Sequence, residues 1–254
     1  MKLLNHKPFP FSIPIILLIL HFNPLVAQES VVDKAIEVSG MEKMKNAEAS
    51  FSFRKHTYSY KRQNGQFTYT RIGKNKDGSL VRDVYTNKGF IRYIDDAVAS
   101  ITEERKNAYT NSVNSVMYFA FLPLWLKDQA VVLENKDTTS IKGKEYHKIR
   151  VTFKKEGGGV DFEDVFLYWF DVKDHSMDYL AYKYFTGKGG MRFREAYNQR
   201  TVNGITIQDY RNLQPKIKDA VPFEQIEKAF ENGKLEELSI IELKNVKIST
   251  LPKI

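Results

Sequence analysis

Residues able to do chemistry are few and scattered. Beyond an apolar N-terminal segment the histidines are His56, His147 and His175, on separate predicted strands or turns and without HxH or HExxH spacing, so the paired ligands of a zinc centre are missing. The chain has no cysteine, which removes thiolate nucleophiles, disulfide exchange and cysteine metal ligands. It also lacks a GxSxG elbow, a P-loop and a dinucleotide fingerprint. Asp161 and Glu163 are placed to share one strand face, as a glycosidase or a calcium site requires, although solvated loop charge is the commoner role of such a pair. Gly157 to Gly159, with no helix following, reads as a hairpin tip and not as a phosphate cradle. Arg192 and Arg194 alternate with Met191 and Phe193; with the apolar set turned inward, both arginines point outward, toward acidic side chains, lipid phosphates or a partner. No catalytic residue, metal or cofactor is expected, and the chain reads as a binding protein before an enzyme.

Address and charge narrow the class further. Lys2 and Lys7 precede the run FPFSIPIILLIL, and Ala27 follows Leu25 and Val26 ahead of the first acids, the order of a secretory signal. Cleavage is expected near Ala27, delivering residues 28–254 as one periplasmic or secreted domain. The formal charge is +8, and removing residues 1–27 takes away two lysines and no acids, leaving 37 minus 31, or +6. A basic surface suits anionic membranes, and peripheral membrane contact is compatible with it. Its densest cluster, Lys142, Lys144, Lys148, Arg150, Lys154 and Lys155, alternates with apolar residues as a solvated sheet face does. Export and mixed charge argue against nucleic acid.

The elements that must position any site are mostly strands. Ser30 to Ala47 carries Val31, Ala35, Val38, Met41 and Met44 at helical spacing, with Gly40 allowing a break, and predicts an amphipathic opening helix. From Ala49 the period falls to two, punctuated by turn dipeptides such as Asn64-Gly65, Asp77-Gly78 and Asn203-Gly204. Strands are predicted near 49–62, 65–74, 79–86 and 89–95, then 130–139, 143–155, 163–172, 177–186, 190–200 and 204–213, with a last one near 236–248. A helix starting at Pro222 and stopping at Asn232-Gly233 precedes that last strand. Short turns between about eleven strands call for a mainly β fold with a helical insert, a curved antiparallel sheet forming a half-barrel closed by helices.

The helical insert after residue 100 is the most informative segment. Ser100 and Glu103 have capping-box spacing, and the helix they open runs into VMYFAFLPLWL, residues 116–126. That run is too short to span a bilayer, which takes roughly 20 apolar residues. Leaving its six or seven large side chains in water would forgo about 1.5–3 kcal/mol each, so they are buried, either as the ordinary core of the sheet or as the lid of an apolar cavity. Strand 165–172 sets Val165, Leu167 and Trp169 against Phe166, Tyr168 and Phe170; apolar on both faces, it must be covered on both, with a cavity inside and the opening helix outside. Tyrosines of 177–185 are placed to rim such a cavity. Its expected lining is Val113, Val116, Met117, Phe119, Phe121 and Trp169.

The order helix, four strands, helical insert, strands, helix, last strand resembles the lipoprotein-carrier fold of the Gram-negative envelope, the Lol type. That resemblance implies an eleven-stranded half-barrel whose helices plug its open side and whose cavity carries acyl chains. Carriers of this kind hold the lid with an arginine of an early strand, for which Arg54 and Arg71 are the nearest candidates. The segments YWFD at 168–171, GGMRFREAYNQR at 189–200 and VNGITIQDYRN at 202–212 look like those of a family of uncharacterised exported envelope proteins, along essentially the whole chain after the signal. The function expected is a non-enzymatic binder or carrier of a lipid, lipoprotein acyl chain or other hydrophobic ligand. The alternatives are a structural or partner-binding envelope protein with a filled core and, third, a carboxylate-dependent hydrolase.

Overall fold

The computed structural model of the protein describes residues 30–252 apart from positions 158, 160 and 219. The export signal read from the sequence lies outside the described residues. Helix α1 (Val31–Val38) opens on Ser30, whose hydroxyl accepts from the Asp33 amide at 3.1 Å. The helical period of residues 30–47 is realised in two pieces, because Gly40 takes φ +66° and a tight 3₁₀ segment, Met41–Asn46, follows. A side chain at 40 would set its Cβ 2.1 Å from the carbonyl oxygen of Gly204, so glycine is required by both the turn and the close approach.

The strands form a mainly β, wholly antiparallel architecture divided between two sheets that do not close into a barrel. The first sheet contains β1 (Ala47–Phe53), β2 (His56–Gln63), β3 (Gln66–Lys74), β4 (Leu80–Thr86), β5 (Gly89–Ile94) and the short β6 (Ala97–Val98). The second contains β7 (Val131–Asn135), β8 (Thr139–Ile141), β9 (Lys144–Phe153), β10 (Val165–Asp171), β11 (Met177–Tyr184), β12 (Gly190–Val202), β13 (Ile205–Pro215) and β14 (Leu235–Ile241). Then β15 (Lys244–Thr250) returns to the edge of the first sheet beside β1, giving the orders β15-β1-β2-β3-β4-β5-β6 and β14-β13-β12-β11-β10-β9-β7, with β8 also on β9. Two predicted strands are thus each a pair. Residues 49–62 turn at Arg54, which adopts φ +53° without the usual glycine or asparagine. The last strand breaks after Ile241, where the Leu243 amide donates to Asp209 Oδ1 at 2.9 Å. Asp209, 2% exposed, also accepts from Asn198 at 2.6 Å and Arg200 at 3.1 Å, fixing the point at which the chain passes from one sheet to the other.

Two cores result. The inner one gathers Phe51, Tyr58 and Tyr60 of the first sheet, Tyr168 and Leu180 of the second, and the buried residues of α1. The outer one lies on the far face of the second sheet, where Leu167, Trp169 and Phe193 meet Ile226 and Ala229 of helix α3 (Ile226–Glu231). The opening helix therefore does not cover that outer face, contrary to the sequence expectation. A backbone bond from Thr206 to Ser39 (2.8 Å) keeps the end of α1 against the start of β13, and α3 supplies the outer cover. Lys148 departs from the predicted solvated face: it is 7% exposed, and its Nζ reaches Glu227 Oε1 at 2.8 Å and the Glu224 carbonyl at 2.6 Å, fastening α3 to β9.

Candidate functional site

Helix α2 (Glu103–Ala120) is the insert, and it begins two residues later than the capping-box reading: Thr102, not Ser100, accepts from the Arg105 amide at 3.3 Å. It ends before Pro123, whose ring nitrogen has no proton to extend the ladder, and Leu122, Leu124, Trp125 and Leu126 turn into the inner core. One side of α2, through Val113 and Met117, packs on that core. Along its other flank a cleft of about 1200 Å³ opens between the sheets. Phe53 and Tyr58 of the first sheet, Phe153, Phe166 and Tyr182 of the second, and Phe119 of α2 border this space. The rings of Phe119, Phe153, Phe166 and Tyr182 form a connected wall, with centroids 5.4 Å apart for Phe119 and Tyr182, 5.5 Å for Phe166 and Tyr182, and 5.7 Å for Phe153 and Phe166, while Phe53 and Tyr58 pair on the first sheet at 6.4 Å. Such spacings belong to offset or edge contacts between aromatic rings.

Of the six residues expected to line a cavity, Val116 and Phe119 border the cleft. Val113, Met117 and Phe121 are instead fully packed in the inner core, Phe121 against Tyr60 at 4.6 Å. Trp169 lies in the outer core, 5.6 Å from Phe193. Its strand is apolar on both faces, and the alternation that puts Phe166 toward the cleft sends Trp169 away from it. Tyr182 and Tyr184 do line the space. Arg192 and Arg194 also face it, reversing the outward placement, because Met191 and Phe193 are taken by the outer core beneath α3. Asp161 and Glu163 stand in a turn before β10, not on a strand face.

The charged part of the lining is predominantly cationic. Arg54, Lys55, Arg71, Arg192 and Arg194 border the cleft against two carboxylates, Asp161 and Asp164. Arg71 is held by a charge cluster: its Nε and Nη2 donate to Asp83 at 2.9 and 2.6 Å, and Arg92 donates to the same carboxylate at 2.7 and 2.9 Å. The remaining nitrogen of Arg71 reaches Ser112 of α2 at 2.7 Å, and the guanidinium of Arg92 lies 3.3 Å from the centre of the Tyr109 ring. Two arginines of the first sheet thus fasten α2, one of them an early-strand arginine named from the sequence. Arg54 makes no such contact, its guanidinium lying 5.2 Å from the Phe53 ring.

Burial sets the protonation of the neighbours. It lowers the His56 imidazole, with the nearby Arg71 charge acting the same way, so the ring is neutral at pH 7. It raises the Tyr118 and Tyr168 hydroxyls, which share a 3.3 Å hydrogen bond, and pushes Tyr210 up to about 12. Burial likewise pushes the Asp164 carboxyl up to about 6. The arrangement offers aromatic surface, phenolic hydroxyls and guanidinium groups. Among the described residues no group of three histidine, aspartate or glutamate side chains converges on a metal site.

The chain is similar in structure to a LolA superfamily protein from Nitrosomonas europaea, at 11% identity and TM-score 0.48, covering 87% of this chain and 93% of that one. A DUF1329 family protein from Desulfovibrio piger gives 12% identity and TM-score 0.42 over 85% and 91% of the two chains. The lipoprotein LppX of Mycobacterium tuberculosis gives 11% identity and TM-score 0.27 over 63% and 89%. No curated protein matches the sequence. The family model that does match spans residues 17–243, so the chain belongs to the family of unknown function DUF6503.

Proposed function

We propose that the protein is an exported, non-enzymatic binder or carrier of a hydrophobic ligand, a lipid or the acyl chain of a lipoprotein, in the cell envelope. The observation that carries this reading is the aromatic cleft of about 1200 Å³ between the sheets, flanked by α2. Spaces of roughly 300–1,000 Å³ already enclose small organic ligands, and this one exceeds that range. Packed interiors leave few voids larger than a water molecule, and a space of this size beside aromatic rings supports the reading as a ligand site. Val116, Phe119 and the Phe166–Tyr182 pair provide the apolar contact, and α2, fastened through Arg71 and Arg92, forms one flank of the opening.

Native mass spectrometry of the purified protein, with lipid extraction and titration by a fluorescent fatty acid, tests this reading. A co-purified lipid or saturable binding of the fatty acid is expected. Recovery of bare protein that takes up no fatty acid rejects it.

A further inference from the structure

The wall of the cleft contains a buried charge that has no counter-ion among the described residues. Arg194, on β12, is 7% exposed. Its Nη2 donates to the Tyr182 hydroxyl at 3.2 Å, its guanidinium carbon lies 3.9 Å from the centre of the Phe119 ring, and its buried Nε has no acceptor. Among the described residues no carboxylate forms a salt bridge with it. The contrast within the molecule is clear: buried Arg71 shares Asp83 with Arg92, and buried Lys148 holds Glu227. Asn212, directly across from Arg194 in the β12–β13 register and also bordering the cleft, gives its amide to Ser239 at 3.1 Å and leaves a buried oxygen unpaired.

A guanidinium keeps its charge in proteins and presents a fork matched to oxyanions. Ring faces attract that charge, but they do not use its N–H donors. The cleft therefore combines an apolar wall with an unspent anion donor at its inner side, and Arg54, Lys55 and Arg192 extend the positive lining. We infer that the ligand is an anionic amphiphile, whose carboxylate or phosphate oxygens bind Arg194 while its apolar chain lies along Phe119, Phe166 and Tyr182. This inference rests on the reading of the cleft as a ligand site and adds the chemistry of the ligand's polar end.

Isothermal titration of the purified protein with tetradecanoic acid, tetradecyl phosphate and tetradecanol, all below their aggregation limits, tests it. At least one of the two anions is expected to bind about tenfold or more tighter than the alcohol, the scale of a charge-assisted hydrogen bond. Which anion shows the advantage identifies the head group. In Arg194→Met that advantage is expected to vanish, with a cooperative unfolding transition like that of the native protein reporting an intact fold. If Arg194→Met does not fold, Arg194→Lys, which keeps the charge and loses the fork, is expected to reduce the advantage. An alcohol that binds native protein as tightly as both anions overturns the inference and leaves the hydrophobic cleft standing. An anion preference unchanged in the variants overturns the assignment to Arg194. Failure of all three ligands to bind removes the underlying reading as well.

Discussion

At the scale of single residues, the cleft is legible in part. Val116 and Phe119 follow from an apolar run that had to be covered. The inward turn of Arg194 does not, because β12 is covered on both faces and alternation alone cannot say which face meets which neighbour. Only the placement of α3 over Phe193 decides it. Lys148 escaped for the same reason, its partner Glu227 being 79 residues away along the chain. Asp164 supplies a residue-level prediction. Its carboxyl rises from the ordinary value of 3.8 to about 6 on burial, so the folded state holds the proton more tightly than the unfolded chain. The resulting cost to folding is absent below about pH 4, grows between about pH 4 and 6, and is constant above. Asp164→Asn removes it while keeping an oxygen for the Phe185 amide. Urea unfolding should show the variant more stable at pH 7.5, by less than about 1 kcal/mol since the group is partly solvated, and equal at pH 3.5. A gain of the same size at both pH values would contradict this assignment.

At the scale of elements, the two-residue period and the turn dipeptides placed most hairpins. The misses have local causes: Arg54 turns with a positive φ that its side chain does not advertise, and the strand near 236–248 is broken by a capture of the Leu243 amide that only tertiary structure reveals. Asp209, on β13 at that capture point, is predicted to matter more than a single polar residue of a strand. Asp209→Ala leaves Arg200, Asn198 and the Leu243 amide without their shared acceptor, and should cost about 3 kcal/mol in denaturant unfolding; a loss below about 1 kcal/mol would mean that water replaces the carboxylate. The fastening of α2 is testable separately. Arg71→Met removes the bond to Ser112 while Asp83 keeps Arg92. Hydrogen exchange over residues 103–120 should quicken by about tenfold, the equivalent of one such bond, with β9 to β13 unaffected. Unaltered exchange in α2 would show that Val113 and Met117 alone hold it.

At the scale of the whole molecule, the antiparallel mainly β plan with a helical insert was readable from pattern, whereas the division into two sheets was not. A single meander and two sheets joined by β14 and β15 have the same local sequence signature. The difference matters for function, since two sheets that separate on one side of α2 leave the space that a uniformly packed sandwich would fill. On the proposed reading an apolar chain enters that space and not the outer surface or the α3 side. Photo-crosslinking of a diazirine-bearing fatty acid to the purified protein, with the labelled peptides mapped by mass spectrometry, examines it most directly. Labels are predicted on α2 around Val116 and Phe119 and on the facing strands around Phe166 and Tyr182. Labelling confined to the outer core around Trp169 and Phe230, or spread over exposed residues without saturation, would contradict it.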